Sequence, residues 1–232
     1  MYDATSTAMS QPEIVGPTVD LLVDLAAGGP ALEFAIGTGR IGIPLSERGV
    51  EVSGIEISTD MIAGLRRKPG GDRINVTIGD MATSQVGGQF ALVYLVFNTI
   101  GNLLDQAEQV ACFRNAARHL VPTGVFVVEL EVPQLRRIPP GSVSHAFEIS
   151  PDHVGVDTYD FANQRLTSHH YWPRAAGPMT SFDSHGRYVW PAELDLMAEL
   201  AGMRLRNRWA DWNRAPFTGE STSHISVWAK QR

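Results

Sequence analysis

Short apolar runs alternate with helical stretches along residues 18–132 of this chain. In chain order the runs read PALEFAI, VEVSGIEI, INVTIGD, FALVYLVF and GVFVVELEV. The fourth run is entirely apolar or aromatic, which is typical of a strand covered on both faces. Strands that alternate with helices pair in parallel through right-handed crossovers. The pattern therefore predicts a doubly wound α/β domain with a mostly parallel sheet.

The pattern changes after the fifth strand, within residues 133–189. Four segments follow without an intervening helix: SHAFEI, HVGVDTYDF, RLTSHHYW and MTSFDSHGRYVW. They predict a small antiparallel β insertion, because so short a stretch could hardly bury a core of its own. A helix, PAELDLMAELAGM, and two strands, RLRNRWADW and SHISVWAK, then complete a single domain over residues 1–232. Residues 1–16 are polar at their start and are expected to form a tail or a lid.

The composition excludes several classes of protein. With 25 acidic and 19 basic side chains, the formal charge is −6, and the basic run from Arg66 to Lys68 is too short to indicate a nucleic-acid-binding surface. A single cysteine, Cys112, excludes an intrachain disulfide and a cysteine-built zinc site. No segment has the features of a secretory signal or a membrane span, which predicts a cytoplasmic protein without membrane contact.

The stretch ALEFAIGTGRIGIPL, residues 31–45, has two interpretations. From Gly37 it contains G-x-G-x-x-G, a turn that binds dinucleotides and would indicate an oxidoreductase that uses a nicotinamide or flavin. From Glu33 it contains E-x-A-x-G-x-G, an acidic residue that ends a strand just before a glycine loop. That arrangement would indicate a methyltransferase that uses S-adenosylmethionine. The loop alone does not decide between them.

Three acidic residues, Glu33, Glu56 and Asp80, end the first three predicted strands, at the edge where a doubly wound sheet binds its ligand. Glu56 lies 17 residues after Gly39 and suits a ribose in either cofactor class. Glu33 would place unfavourable charge beside a pyrophosphate, whereas it suits the cationic amino group and sulfonium of S-adenosylmethionine. Asp80, with the backbone of Met81, is placed to accept a hydrogen bond from adenine. The acidic residues favour the second interpretation.

Taken in order, these motifs resemble those of the class I S-adenosylmethionine-dependent methyltransferases. The first two cofactor motifs correspond to LEFAIGTGRIGIPLSERGVEVSGIEIS, with S-x-D-M at residues 58–61, and the third to VTIGDM. Later motifs correspond to FALVYLVFNTIGNLLD and HLVPTGVFVVEL. The resemblance implies a Rossmann-like fold with a seven-stranded sheet, S-adenosylmethionine as cofactor and S-adenosylhomocysteine as product. One departure is Ala35, which takes the place of the family's usual first glycine.

The resemblance also implies which residues bind the cofactor. No metal site is predicted, because the adjacent His169 and His170 have no third ligand at a telling spacing. The methionine moiety would lie against Ala35, Gly37 and Gly39, with Glu33 at its amino group. Glu56 would bind the ribose, and the adenine would be surrounded by Ile57, Met61, Asp80 and Met81. Phe97 and Asn98 would face the methyl-donor centre.

The acceptor is less constrained than the cofactor. The antiparallel insertion resembles the active-site cover of glycine N-methyltransferase and of amino-sugar N-methyltransferases of antibiotic biosynthesis. That likeness implies a small-molecule acceptor, methylated at nitrogen or oxygen, in secondary metabolism. Alternatives stay open: a protein or RNA acceptor, a non-catalytic S-adenosylmethionine-binding protein, and an NAD(P)-dependent oxidoreductase. The acidic charge argues against a nucleic-acid partner, and a homodimer is one alternative for the oligomeric state.

No catalytic base is assigned. Methyl transfer needs mainly alignment and exclusion of water, and an amine acceptor needs only to bind in its neutral form. A hydroxyl acceptor needs a general base. The insertion offers the candidates His145, Tyr159, His169, His170 and Tyr171. His169 and His170 are adjacent in a predicted strand, so they are expected to point to opposite faces. An N-terminal lid would bring Tyr2 to the cofactor.

Overall fold

The computed structural model describes residues 11–174 and 178–231 of the chain. Its larger sheet contains β1 (Ala31–Phe34), β2 (Val52–Glu56), β3 (Asn75–Ile78), β4 (Phe90–Leu95), β5 (Leu120–Glu131), β10 (Met203–Trp209) and β11 (Ser223–Lys230). Across the sheet the order is β10-β11-β5-β4-β1-β2-β3. Strands β1 to β5 are parallel, β11 runs antiparallel to β5, and β10 antiparallel to β11. The predicted doubly wound, mostly parallel sheet is confirmed.

The strand order determines where this sheet binds a ligand. β1 pairs with β2 on one side and with β4 on the other, so Ala31 lies beside both Val52 and Leu92. The connections that follow β1 and β4 leave the sheet in opposite directions. They open a crevice at the carboxyl ends of the two strands, which is the usual ligand site of such a sheet.

The described residues form five α-helices: α1 (Pro12–Ala26), α2 (Gly42–Glu47), α3 (Thr59–Arg66), α4 (Gln106–His119) and α5 (Pro191–Leu200). The segment VDLLVDLAAGG predicts a first helix from Val19 to Ala27, and the predicted start is wrong. α1 begins at Pro12, where a missing N–H costs the helix nothing, and continues through Pro17 because its buried face includes Val15 as well as Val19. Most of the predicted tail or lid, residues 1–10, lies outside the described residues. No helix among those described is long and apolar enough to cross a bilayer.

Apolar side chains cover both faces of the larger sheet. On one face, the ring of Phe113 from α4 lies edge-on to Phe126 and Trp228, with centroids 5.0 and 5.2 Å away. On the other face, Leu22 of α1 and Leu45 of α2 are fully buried. Burying a side chain of this size contributes about 1.5–3 kcal/mol. The sheet and its helices therefore have a core on each side.

The smaller sheet is the predicted insertion. It contains β6 (Ser144–Ile149), β7 (Val154–Asp160), β8 (Arg165–Trp172) and β9 (Thr180–Arg187), which pair in that order and run antiparallel. Within these four strands only Gly155 and Arg187 are buried. The Arg187 guanidinium forms an ion pair of 2.7 Å with Glu193 of α5. The insertion is thus attached to the α/β core by a buried polar contact.

Candidate functional site

A cavity of about 620 Å³ opens at the carboxyl ends of β1 to β4. Most of the predicted cofactor residues line it: Glu33, Ala35, Gly37, Glu56, Ile57, Met61, Asp80, Met81 and Phe97. Two predicted residues, Gly39 and Asn98, lie outside the lining. The lining also includes polar residues that were not among the predicted cofactor residues: Thr38, Arg40, Ser58, Thr99, Asn102, Asp105, Glu108 and Arg165.

Glu33 of β1 is buried at the inner end of the cavity. Tyr94 lies beside it on β4 and donates its hydroxyl to Glu33 Oε2 at 2.9 Å, and the Gly42 backbone N–H donates to the same carboxyl group. Burial raises the pKa of the Glu33 carboxyl to about 8, although Tyr94, Arg40 and Gly42 act in the opposite direction. The protein alone therefore favours the protonated group at neutral pH, and a cationic ligand beside it would favour the carboxylate.

Glu56 connects the glycine loop to the start of α3. Its Oε2 accepts the Gly37 N–H at 2.8 Å, and its Oε1 accepts the Ser58 N–H at 2.8 Å. The Ser58 hydroxyl accepts the Met61 N–H at 3.3 Å and so caps α3. Each carboxylate oxygen can accept a second hydrogen bond. Glu56 can therefore hold the loop and still accept from two neighbouring hydroxyls in the cavity.

The loop between β1 and α2 needs left-handed backbone at three positions. Ala35, Gly37 and Gly39 have φ values of 52°, 58° and 78°. Alanine in this region costs about 1 kcal/mol, so Ala35 replaces the usual glycine with a small penalty. Gly39 serves packing instead of lining the cavity, because a Cβ there would lie 3.0 Å from Ile43 and 3.1 Å from Leu65.

The turn after β3 brings Asp80 and Met81 to the cavity and is held by α4. Asp80 Oδ1 accepts the Ala82 N–H at 2.7 Å. The buried Asn115 side chain donates Nδ2 to the carbonyls of Met81 and Ser84, both at 2.9 Å. Sequence reasoning missed Asn115. Its signal was a polar residue within the buried face of an amphipathic helix.

The turn after β4 separates Phe97 from Asn98. Both have a φ of 59°. The Phe97 ring lines the cavity with the Arg40 guanidinium 5.0 Å above its centroid. Asn98 was expected to face the methyl-donor centre, but its Oδ1 accepts the Glu131 N–H at 2.7 Å. The reason is conformational, because asparagine is among the few residues that tolerate left-handed backbone in a turn.

Glu129 of β5 fixes this turn and was also missed. Its Oε2 accepts the Phe97 N–H at 2.8 Å, and its Oε1 accepts the indole N–H of Trp212 at 2.9 Å. The available signal was a pair of glutamates, Glu129 and Glu131, in the segment GVFVVELEV, which has no other polar side chain.

The loop after β4 and the first turn of α4 form a further part of the lining. Asp105 caps α4, and its N–H donates to Glu108 Oε2 at 3.2 Å. Arg165 of β8 donates to Asp105 Oδ1 at 2.7 Å. Among the described residues of the insertion, only Arg165 contributes to the lining.

None of the candidate bases lines the cavity, as far as residues 11–174 and 178–231 show. His169 and His170 point to opposite faces of β8, as predicted. His169 Nδ1 lies 2.9 Å from Asp183 Oδ1, and His170 Nδ1 lies 3.0 Å from His153 Nε2. Burial and the neighbouring Asp157 raise the pKa of Tyr159 to about 12, so its phenolate is not accessible at neutral pH.

Part of the chain matches a known family of protein domains. Residues 31–124 match a family model described as a methyltransferase domain. The solved structure of the CcbJ methyltransferase from Streptomyces caelestis is 35% identical to this chain, with a TM-score of 0.84 over 93% of this chain and 89% of that one. The likeness thus includes the insertion and the closing strands as well as the matched domain.

Two sequence relatives are also methyltransferases. Cypemycin N-terminal methyltransferase from Streptomyces sp is 25% identical over 88% of this chain and 84% of that protein. The dTDP-3-amino-3,6-dideoxy-alpha-D-glucopyranose N,N-dimethyltransferase from Streptomyces fradiae is 39% identical over 42% of this chain and 38% of that protein. The chain therefore belongs to the class I S-adenosylmethionine-dependent methyltransferases, and S-adenosylmethionine is its methyl donor.

Proposed function

We propose that this enzyme methylates an amine nitrogen of a small-molecule acceptor. One observation supports nitrogen over oxygen: among the described residues, the cavity lining contains no histidine, lysine, cysteine or tyrosine. A hydroxyl acceptor needs a general base to remove its proton, whereas a neutral amine is already a nucleophile. The side chains of this cavity suit the second case.

The carboxylates of the cavity are poorly suited to act as the missing base. Glu56, Asp80 and Glu108 each accept at least one backbone N–H, and Asp105 accepts from Arg165. These hydrogen bonds direct carboxylate oxygens at the backbone or at Arg165 and leave fewer lone pairs for the hydroxyl of an acceptor. Glu33 differs because burial raises its pKa, but it lies beneath the glycine loop, at the position we assign to the cationic amino group of the cofactor.

The lining fits S-adenosylmethionine, and on that basis we assign its subsites. Glu33 would hold the amino group and Glu56 the ribose hydroxyls. Ile57, Met61 and Met81 would supply apolar surface to the adenine, and Asp80 its polar edge. When bound, S-adenosylmethionine supplies an electrophilic methyl group, whose transfer leaves a thioether on the donor and releases one proton from the amine. A cavity of about 620 Å³ is within the range that holds small-molecule ligands.

The acceptor would enter on the opposite side, against Phe97, Asn102 and Asp105. Arg165 brings the insertion to this side, which supports the expectation that residues 133–189 cover the acceptor. The relatives support an amine, since one is named for an N-terminus and the other for N,N-dimethylation of an amino sugar. A role in secondary metabolism belongs to the same proposal.

The proposal is tested with matched acceptor probes and S-adenosylmethionine, using mass spectrometry to detect added methyl groups. One pair is a nucleotide-linked 3-amino-3,6-dideoxy sugar and its 3-hydroxy counterpart. A second pair is a short peptide with a free N-terminus and the same peptide acetylated. We expect at least one amine probe to be methylated and its hydroxy or acetylated counterpart to remain unmodified. Methylation of the hydroxy sugar would contradict the proposal and direct the search to a base outside the described lining.

A further inference from the structure

Two buried amides on α4 hold the two walls of the cavity. Gln109 donates its side-chain Nε2 to the carbonyls of Ile100 and Leu103, both at 3.2 Å. These residues belong to the loop after β4, whose members Thr99, Asn102, Leu103 and Leu104 line the proposed acceptor side.

Asn115 makes the equivalent contact on the cofactor side. Its Nδ2 donates to the carbonyls of Met81 and Ser84, both at 2.9 Å. His119, one turn later on α4, accepts the Val86 N–H at Nε2 at 2.9 Å, so the same turn is held at a further point. Gln109 and Asn115 are each 0% exposed. Neither amide touches the cavity, so both act through the backbone of the loops that line it.

Each amide is oriented by an arginine. The Arg187 guanidinium donates to Gln109 Oε1 at 2.6 Å, and the Arg118 guanidinium donates to Asn115 Oδ1 at 3.1 Å. Because a guanidinium can only donate, the oxygen of each amide must face the arginine and its NH₂ group must face the loop. The same arrangement of arginine, amide and two carbonyls thus occurs at two positions along α4, with Arg187 from β9 at one and Arg118 from α4 itself at the other.

We infer that Gln109 and Asn115 are positioning residues with separable effects, Gln109 for the acceptor wall and Asn115 for the cofactor wall. Their separation of six positions corresponds to about 9 Å along a helix axis, so α4 sets the spacing of the two walls. Loss of one amide leaves two loop carbonyls without donors and frees that loop only. The inference rests on the proposed function only in assigning the acceptor to one wall and the cofactor to the other.

The test uses the full-length protein and paired variants. Gln109→Glu and Asn115→Asp keep the size of the side chain and the contact with the arginine, but they remove the NH₂ donor. Gln109→Met and Asn115→Leu remove the whole polar group without adding charge, in case a buried carboxylate prevents folding. Hydrogen–deuterium exchange is followed in peptides covering residues 80–86 and 99–104, and S-adenosylhomocysteine is titrated by calorimetry.

We expect faster exchange in 99–104 only for the Gln109 variants and in 80–86 only for the Asn115 variants. Affinity for S-adenosylhomocysteine should fall about tenfold in the Asn115 variants and change less than about twofold in the Gln109 variants. Equal acceleration of both loops in every variant would show a merely structural role and overturn the inference, as would no acceleration in either. Failure of the amine assay with this exchange pattern intact would refute the proposed acceptor alone.

Discussion

In the seven-stranded sheet every residue of β1 and β2 is buried, whereas in the four strands of the insertion only Gly155 and Arg187 are. The contacts differ in kind as well. The core strands pack aliphatic and aromatic side chains on both faces, while the insertion relies on polar pairs and stacked rings. For example, His153 stacks on Trp172 with centroids 5.2 Å apart, and Ser168 donates to Asp157 at 2.6 Å. Contacts of this kind contribute little to stability when they are exposed to water.

The difference indicates that the insertion depends on the core for its position. Two of its polar attachments, Arg187 and Arg165, reach α4, at Gln109 and Asp105. Among its described residues, the insertion makes no such contact with the cofactor side of the cavity. We therefore expect changes in the insertion to alter the acceptor side and to leave cofactor binding nearly unchanged.

The largest expected effect comes from Glu33, where the core holds a buried carboxyl. The pKa of the Glu33 carboxyl is about 8 in the folded protein and 4.5 ordinarily. Between these pH values the folded state therefore binds more protons than the unfolded state. The free energy of unfolding of the ligand-free protein should therefore fall as pH rises from 4.5 to 8, by on the order of 4 kcal/mol. Glu33→Gln should abolish this decrease in urea unfolding measured over a pH series. The same dependence of the free energy of unfolding on pH in the unchanged protein and in Glu33→Gln would contradict the account of Glu33.

The next effect tests the attachment of the insertion. Arg187→Met removes the guanidinium but leaves the Glu193 carboxylate half-buried and Gln109 and Gln164 without their donor. We expect the free energy of unfolding to fall by about 3 kcal/mol, together with earlier proteolytic cleavage within residues 133–189. Arg187→Lys keeps the charge but not the three contacts, so its free energy of unfolding should lie between those of the unchanged protein and Arg187→Met. A change under about 1 kcal/mol for Arg187→Met would show that other contacts attach the insertion.

Substitution of one glycine in each sheet allows the packing of the two sheets to be compared directly. A Cβ on Gly54 of β2 would lie 2.7 Å from the buried Ile36, and one on Gly155 of β7 would lie 2.2 Å from the ring of Phe147. Because Phe147 is 43% exposed, it can move aside. Gly54→Ala should cost about 2 kcal/mol in chemical denaturation, and Gly155→Ala less than about 1 kcal/mol. Equal costs would mean that the insertion is packed as tightly as the core.

The smallest effect is expected on the exposed face of the insertion. Trp172 is 36% exposed and contacts His153 and His170 by ring stacking. Trp172→Ala should lower the free energy of unfolding by less than about 1 kcal/mol and leave affinity for S-adenosylhomocysteine unchanged. A loss above about 2 kcal/mol would indicate that this face is covered in solution, and its dependence on protein concentration would show whether a second copy covers it.

Features with a local signal could be predicted from the sequence. Segments SHAFEI and RLTSHHYW coincide with β6 and β8, because alternating polarity and turn residues define a strand without knowledge of its neighbours. The acidic residues at or near the ends of β1, β2 and β3 were located because strand ends and glycine loops have short signatures. The start of α1 was misplaced because Gly16 and Pro17 disfavour a helix locally, and only burial of Val15 in the folded protein compensates.

Features that depend on distant partners could not be predicted. Asn115 is 34 residues from Met81 in the chain, and Glu129 is 32 residues from Phe97. Neither pair has a spacing that sequence periodicity can reveal. Asn98 shows the converse error, since a residue next to the fourth strand end can serve its own turn instead of the cavity.

Binding of S-adenosylhomocysteine to Glu56→Gln tests the central claim most directly, that the edge formed by β1, β2 and β3 holds the cofactor. Calorimetric titration should give a micromolar dissociation constant for the unchanged protein. Glu56→Gln should weaken it by about thirtyfold or more, since hydrogen bonds to a charged acceptor are worth about 1.5–3 kcal/mol. Glu108→Gln, in the opposite wall, is the matched control and should change the affinity less than about twofold. Unchanged binding by Glu56→Gln, or an equal loss in Glu108→Gln, would contradict this assignment.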